Sequence, residues 1–104
     1  MDEIALIKAA QAGEAGAFER LLQDRYATIY RFAMSWCGSV HDAEDITQQA
    51  CIKLARNLSQ FRFDAAFSTW LYRLVINCAK DWQRAQARHQ GEGLAAELEH
   101  AAAS

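Results

Sequence analysis

Residues 61–84 read Phe-Arg-Phe-Asp-Ala-Ala-Phe-Ser-Thr-Trp-Leu-Tyr-Arg-Leu-Val-Ile-Asn-Cys-Ala-Lys-Asp-Trp-Gln-Arg, the segment of the chain richest in chemistry-bearing side chains. Arg73, Asn77, Lys80 and Arg84 recur at helical spacing and form one polar, cationic stripe. Leu71, Leu74, Val75 and Cys78 run along the opposite side. Ahead of the stripe, Phe61, Phe63 and Phe67 surround Arg62 and Asp64. Aromatic faces for stacking, set beside cations that follow phosphates, are what a single-stranded nucleic acid requires of its binder. A blander arrangement uses the same residues: Phe61, Phe63, Phe67, Trp70 and Trp82 as core, and the stripe as a solvated helix face. Three phenylalanines in so short a loop are not all easily buried, which tilts the balance toward a surface role.

Other chemistry has little foothold. The chain has no Gly-rich phosphate cradle, no His-Glu-x-x-His, no Cys-x-x-Cys and no Gly-x-Ser-x-Gly, so nothing points to an enzyme. His41, His89 and His100 are scattered, and Cys37, Cys51 and Cys78 stand apart from one another. A metal or thiol site would need tertiary convergence, whereas buried structural cysteine needs none, so no metal or cofactor is expected. Asp42, Glu44 and Asp45 read as an N-cap followed by first-turn carboxylates, not as an acid–base cluster.

Charge is unevenly spread. The 104 residues carry a formal net charge of −2. Residues 1–52 hold four basic and eight acidic side chains, while residues 53–90 hold seven basic and only Asp64 and Asp81 against them. Glu92, Glu97 and Glu99 close the chain, so a basic segment lies between two acidic ones and an anionic partner stays in view.

The elements that position these residues are helical. Proline is absent, glycine numbers five, and 52% of residues are apolar, a composition suited to an all-α domain. Ile4, Leu6 and Ile7 open a short helix that Gly13 ends, and Gly16 offers a second permissive point. Phe18, Leu21, Leu22, Tyr26, Ile29, Tyr30, Phe32, Ala33 and Trp36 then form the strongest amphipathic stripe, stopped by Gly38 and Ser39. A third helix begins at Asp42 and carries Ile46, Ala50, Leu54 and Leu58 on its apolar side, with Asp45, Gln48, Gln49 and Lys53 on neighbouring polar faces. Ser59 to Ser68 reads as a loop, and the fourth helix follows and fades near Gln90-Gly91. The longest uncharged stretch, Phe32 to His41, falls far short of the roughly 20 apolar residues of a membrane span. The opening Met-Asp-Glu lacks the basic and apolar regions of a secretory signal, so reduced thiols and a cytoplasmic location are expected.

At this point the residues resemble a family. Phe67-Ser-Thr-Trp-Leu-Tyr-Arg-Leu-Val-Ile-Asn77, preceded by Asp42-Ala-Glu-Asp-Ile-Thr-Gln-Gln and by Gly13-Glu-Ala-Gly-Ala-Phe18-Glu-Arg-Leu, is similar to domain 2 of bacterial extracytoplasmic-function (ECF) sigma factors. The resemblance covers roughly residues 4–88, with three motifs in the family's order. It implies a bundle of three to four helices that docks on the β′ clamp helices of the RNA polymerase core and captures the −10 element of a promoter. Carried over, Asp45, Gln48 and Gln49, with Lys53 nearby, become polymerase-binding candidates. Phe61, Arg62, Phe63, Asp64 and Asn77 become the holders of a base flipped from the non-template strand, flanked by Tyr72, Arg73, Lys80 and Arg84.

The chain departs from the family at Gln49, where Glu is usual, and at Cys51, where a bulky apolar residue stands. No helix-turn-helix of the kind that reads the −35 element in the family is expected after Gly91. The expected organisation is a region 2 domain over residues 1–90 and a linker or frayed tail over 91–104, as one domain of a longer protein or a short relative. Two other functions compete: a helical protein–protein module that serves as anti-sigma target or decoy, and a thiol or metal sensor. Retention of the aromatic loop and Asn77 favours the promoter-binding domain, for which an anti-sigma factor is a further expected partner.

Overall fold

Asp2 starts the first helix by accepting the Ala5 N–H on its carboxylate at 2.7 Å. The computed structural model describes the backbone of residues 2–103 and the side chains of residues 2–88. Four helices follow in order: α1 (Glu3–Gln11), α2 (Ala15–Cys37), α3 (Val40–Asn57) and α4 (Phe67–Ala103), with a single 3₁₀ turn, Leu58–Gln60, after α3. No strand occurs among the described residues. The all-α bundle expected from the sequence is the fold observed.

Two glycines separate the first three helices. Gly13 sits at φ 96°, which closes α1 with the Glu14 N–H donated back to the Ala9 carbonyl at 3.1 Å. Gly38, at φ 68°, ends α2 in the same left-handed region. Gly16, by contrast, lies inside α2 and breaks nothing.

α2 packs against α1, α3 and α4, and α3 packs against α4. Ile7, Leu21, Ile29, Ile46, Leu54, Leu71 and Val75 are fully buried where these helices meet. The buried Thr47 is satisfied within its own helix, its Oγ1 donating to the Ala43 carbonyl at 2.6 Å.

The structure corrects four expectations. Asp42 is not the N-cap of α3: Ser39 is, its hydroxyl accepting the Asp42 N–H at 3.4 Å, so the helix starts earlier and Asp42 lies in its first turn. A Ser directly behind a left-handed Gly outcompetes an Asp further on, because the chain has already turned. Tyr26 and Trp36, counted in the apolar stripe of α2, are 47% and 39% exposed, since that stripe is longer and wider than the surfaces that cover it. Phe67, placed in the loop, is the first residue of α4. Finally, α4 does not fade near Gln90-Gly91 but runs to Ala103. Each glycine there costs about 1 kcal/mol against alanine, but no proline follows and the segment beyond is rich in Ala, Leu and Glu. At 1.5 Å per residue α4 is about 55 Å long and sets the 65 Å long axis of a molecule 24 Å across.

Candidate nucleic-acid interface

Helical spacing places Arg73, Asn77, Lys80 and Arg84 along the outward ridge of α4, and all four are exposed. α3 flanks this ridge on one side and α2 on the other. On the α3 side an open groove of about 290 Å³ is lined by Trp70, Arg73, Leu74 and Asn77 of α4 and by Lys53, Asn57 and Gln60 at the end of α3 and the turn after it. A cavity of about 150 Å³ already accommodates a benzene ring, so the groove has room for a planar heterocycle. Its walls supply a half-buried indole, three primary amides and two cations. An amide offers a paired donor and acceptor, the pattern that reads a base edge.

The α2 side is different in character. Lys80 Nζ lies over the Trp36 ring at 5.8 Å, and Tyr72 meets Phe32 edge-on at 5.0 Å. Tyr72 and Lys80 thus face away from the groove that holds Arg73 and Asn77. Arg84 points toward Asp81 at 3.6 Å, and Asp81 also faces Lys53 at 4.0 Å. One carboxylate therefore offsets one cation of the groove, Lys53, and one farther along α4, Arg84.

The loop from Phe61 to Ala66 divides its phenylalanines. Phe61 is only 4% exposed, with Phe67 and Trp70 ring centroids both 5.3 Å away. Phe61 presents no free face for a base, which corrects its expected stacking role: it is the core plug beneath the loop. Phe63 is 37% exposed at the tip, with the exposed Arg62 and Asp64 beside it. It adopts φ 62°, a left-handed conformation costing an ordinary L-residue roughly 1–2 kcal/mol. Lys8 Nζ stands 5.5 Å over its ring, and the Phe61 ring lies 4.7 Å from it.

A tether between α1 and this loop has no signature in the sequence. Gln11 donates its side-chain amide to the Leu58 carbonyl at 3.0 Å and to the Phe61 carbonyl at 2.9 Å. Asn57 and Gln60 also line the groove, and their only sequence signal is that two amides close the end of a helix and the turn behind it. α1 is held in place by Glu3 and Arg25, whose carboxylate and guanidinium meet at 2.8 Å with both side chains partly covered.

The polymerase-binding candidates separate. Gln48 and Gln49 are exposed on the outer ridge of α3 and Asp45 is half-buried beside them. Lys53 turns instead toward α4 and joins the groove. Between the two sets Ile52 is 55% exposed, an apolar side chain on a polar ridge.

The cysteines do not form a reactive centre. Burial pushes the Cys51 thiol above its ordinary value, with Cys78 adding to the rise, and burial likewise raises Cys78. Cys37 donates its thiol to the Ser39 carbonyl at 3.4 Å. Among the described residues no group of three or more His, Cys, Asp or Glu is placed to hold a metal ion. His89 and His100 lie outside the described side chains. No helix among the described residues is long and apolar enough to cross a membrane.

Comparison with known proteins agrees with this architecture. The model of the sigma-70 region 2 family matches residues 21–89. The ECF RNA polymerase sigma-E factor of Haemophilus influenzae is 38% identical over 84 residues, 81% of this chain and 44% of the relative. The ECF RNA polymerase sigma-E factor of Escherichia coli strain K12 is 41% identical over 83 residues, 80% of this chain and 43% of the relative. The chain thus spans less than half the length of these curated relatives. Among solved structures, an engineered region 2 of sigmaE in an NMR complex with GTAAAA superposes with a TM-score of 0.74 at 33% identity, covering 86% of this chain and 97% of that one. The chain belongs to the sigma-70 region 2 family, in its extracytoplasmic-function group, a family of transcription initiation factors and not of enzymes.

Proposed function

We propose that this chain is the promoter-recognising domain of an ECF sigma factor, acting with cytoplasmic RNA polymerase, and that it holds one unpaired base of the −10 non-template strand between α3 and α4. The observation that carries the reading is the groove itself, where Trp70, Arg73 and Asn77 face Lys53, Asn57 and Gln60. Unstacking a base costs a few kcal/mol. A stacking contact returns about 1–3 kcal/mol, and a paired amide contact adds discrimination of similar size. Arg62, Phe63 and Asp64 at the loop tip, with Arg73 and Arg84 along the ridge, supply contacts to the flanking nucleotides. Tyr72 and Lys80 reach toward α2 on the far side of that ridge and meet the strand only where it leaves the groove. The sigmaE neighbour in complex with GTAAAA supports a short oligonucleotide as the ligand class.

The outer ridge of α3 serves a different partner. Asp45, Gln48 and Gln49 lie within the two turns of α3 before the exposed Ile52, and an apolar side chain beside polar ones suits a protein-binding surface. We assign it to the β′ clamp helices of the polymerase core, with Lys53 reassigned to the nucleic-acid groove.

A fluorescence titration with a library of single-stranded hexanucleotides that includes GTAAAA tests the first assignment. Selective binding at one base position is expected, and equal binding of every hexamer would reject it. Co-purification with a β′ clamp fragment tests the second: Asp45→Arg is expected to abolish it while helicity and hexamer binding persist.

A further inference from the structure

We propose that Gln11 is a positioning residue for base selection, acting on the α3–α4 loop from α1, and this inference rests on the nucleic-acid reading of the groove. Gln11 is the last residue of α1, ahead of the segment matched by the family model. Its amide has two N–H donors, and they bond to carbonyls 47 and 50 residues away, at Leu58 and Phe61. These carbonyls bracket the turn Leu58–Gln60, which the Phe61 N–H closes by donating to Leu58 at 3.1 Å. One side chain thereby fixes both ends of that turn. Gln60 in the turn is a wall of the groove, and Phe61 is where the chain leaves for the tip.

The same helix holds the tip. Lys8, one turn before Gln11, places its ammonium over the Phe63 ring. A left-handed phenylalanine persists only where its surroundings over-determine the backbone, and the grip of Gln11 on Phe61 with the cover of Lys8 on Phe63 provides that. Ser59 and Gln60 are exposed, so water has access to this turn. What the amide adds beyond satisfying two carbonyls is a fixed orientation of the groove wall relative to Asn77.

The test compares dissociation constants for the best-bound library hexamer and for its single-base variants at the most discriminated position. Their ratio does not depend on the folded fraction, so it separates positioning from stability. Gln11→Met removes both donors at similar length and is expected to lower the ratio about fivefold or more, leaving the salt slope unchanged. Gln11→Lys keeps donors within reach of both carbonyls and is expected to restore most of the ratio. Gln11→Asn, one methylene short, carries the same expectation as Gln11→Met and replaces it if that variant does not fold. An unchanged ratio in Gln11→Met or Gln11→Asn overturns the proposal, and so does a lowered ratio that Gln11→Lys leaves lowered. If the unaltered chain shows no preference among hexamers, the groove reading itself fails and takes this inference with it.

Discussion

Phe61 and Phe63 stand two residues apart in one loop and do opposite work. Phe61 is buried among Phe67 and Trp70, and Phe63 stands at the exposed tip in a backbone conformation that ordinary residues avoid. The backbone makes the difference, since the residue type is the same. In a helix or strand the period assigns each side chain to a face, whereas a six-residue irregular segment assigns them one at a time through its own turns. The buried half of the loop is therefore part of the fold, and the exposed half, with the groove beside it, is free to serve binding.

The sharpest way to break this division is Phe61→Ala. Removing a buried aromatic ring costs about 3–5 kcal/mol, through lost transfer energy and the cavity left behind. Urea unfolding should show a loss of that size, with hexamer selectivity retained by the molecules that stay folded. A stable Phe61→Ala variant that has lost only hexamer affinity would return Phe61 to the binding surface.

Asn77→Ala probes the groove wall from α4. Asn77 is exposed, and alanine is the better helix former, so stability should stay level or rise slightly. Hexamer affinity should fall by about 1–3 kcal/mol, with preference blurred at one base position. Strong destabilisation with binding per folded molecule unchanged would make Asn77 structural. Phe63→Asn gives the complement at the tip. Asparagine tolerates the left-handed region, so relief of backbone strain roughly offsets the lost ring contacts and the unfolding free energy should move by under about 1 kcal/mol. A loss comparable to that of Phe61→Ala would show that the tip belongs to the core after all.

How much of this was legible follows the same line. The helices and their core were readable because periodicity reports them, and Gly13 and Gly38 were readable because a left-handed turn needs them. The outward ridge of Arg73, Asn77, Lys80 and Arg84 was readable from spacing, and all four are exposed as expected. The start of α3 and the end of α4 were not, since a cap is a competition between neighbouring candidates and two glycines do not stop a helix without a breaker. The sequence leaves Lys53 beside Asp45, Gln48 and Gln49, because a lone helix does not reveal that its neighbour, α4, claims one flank. Gln11 was invisible for a plainer reason: its partners are backbone carbonyls far along the chain, which carry no residue-type signal.

The smallest expected effect lies at Asp81, which tests whether the exposed side of this division is electrostatically tuned. Its carboxylate faces Lys53 at 4.0 Å and Arg84 at 3.6 Å, and all three side chains are substantially exposed. Ion pairs of this kind contribute about 0–1 kcal/mol at most, and solvent screening reduces that further, so Asp81→Asn should leave the melting temperature nearly unchanged. Its effect on binding has a definite sign. Removing the carboxylate frees one cation of the groove and one farther along α4, and raises the net charge of residues 53–90 by one. Hexamer binding should tighten severalfold at low salt, less at 0.15 M where the screening length is about 8 Å. The gain should fall on every hexamer alike, because phosphates carry no sequence information. If the freed cations engage one more phosphate, the slope of log affinity against log salt should steepen by about 0.7. Weaker binding would instead mean that Asp81 orients Lys53 toward the strand, and selectivity that changed along with affinity would place that lysine on the base and not on the backbone.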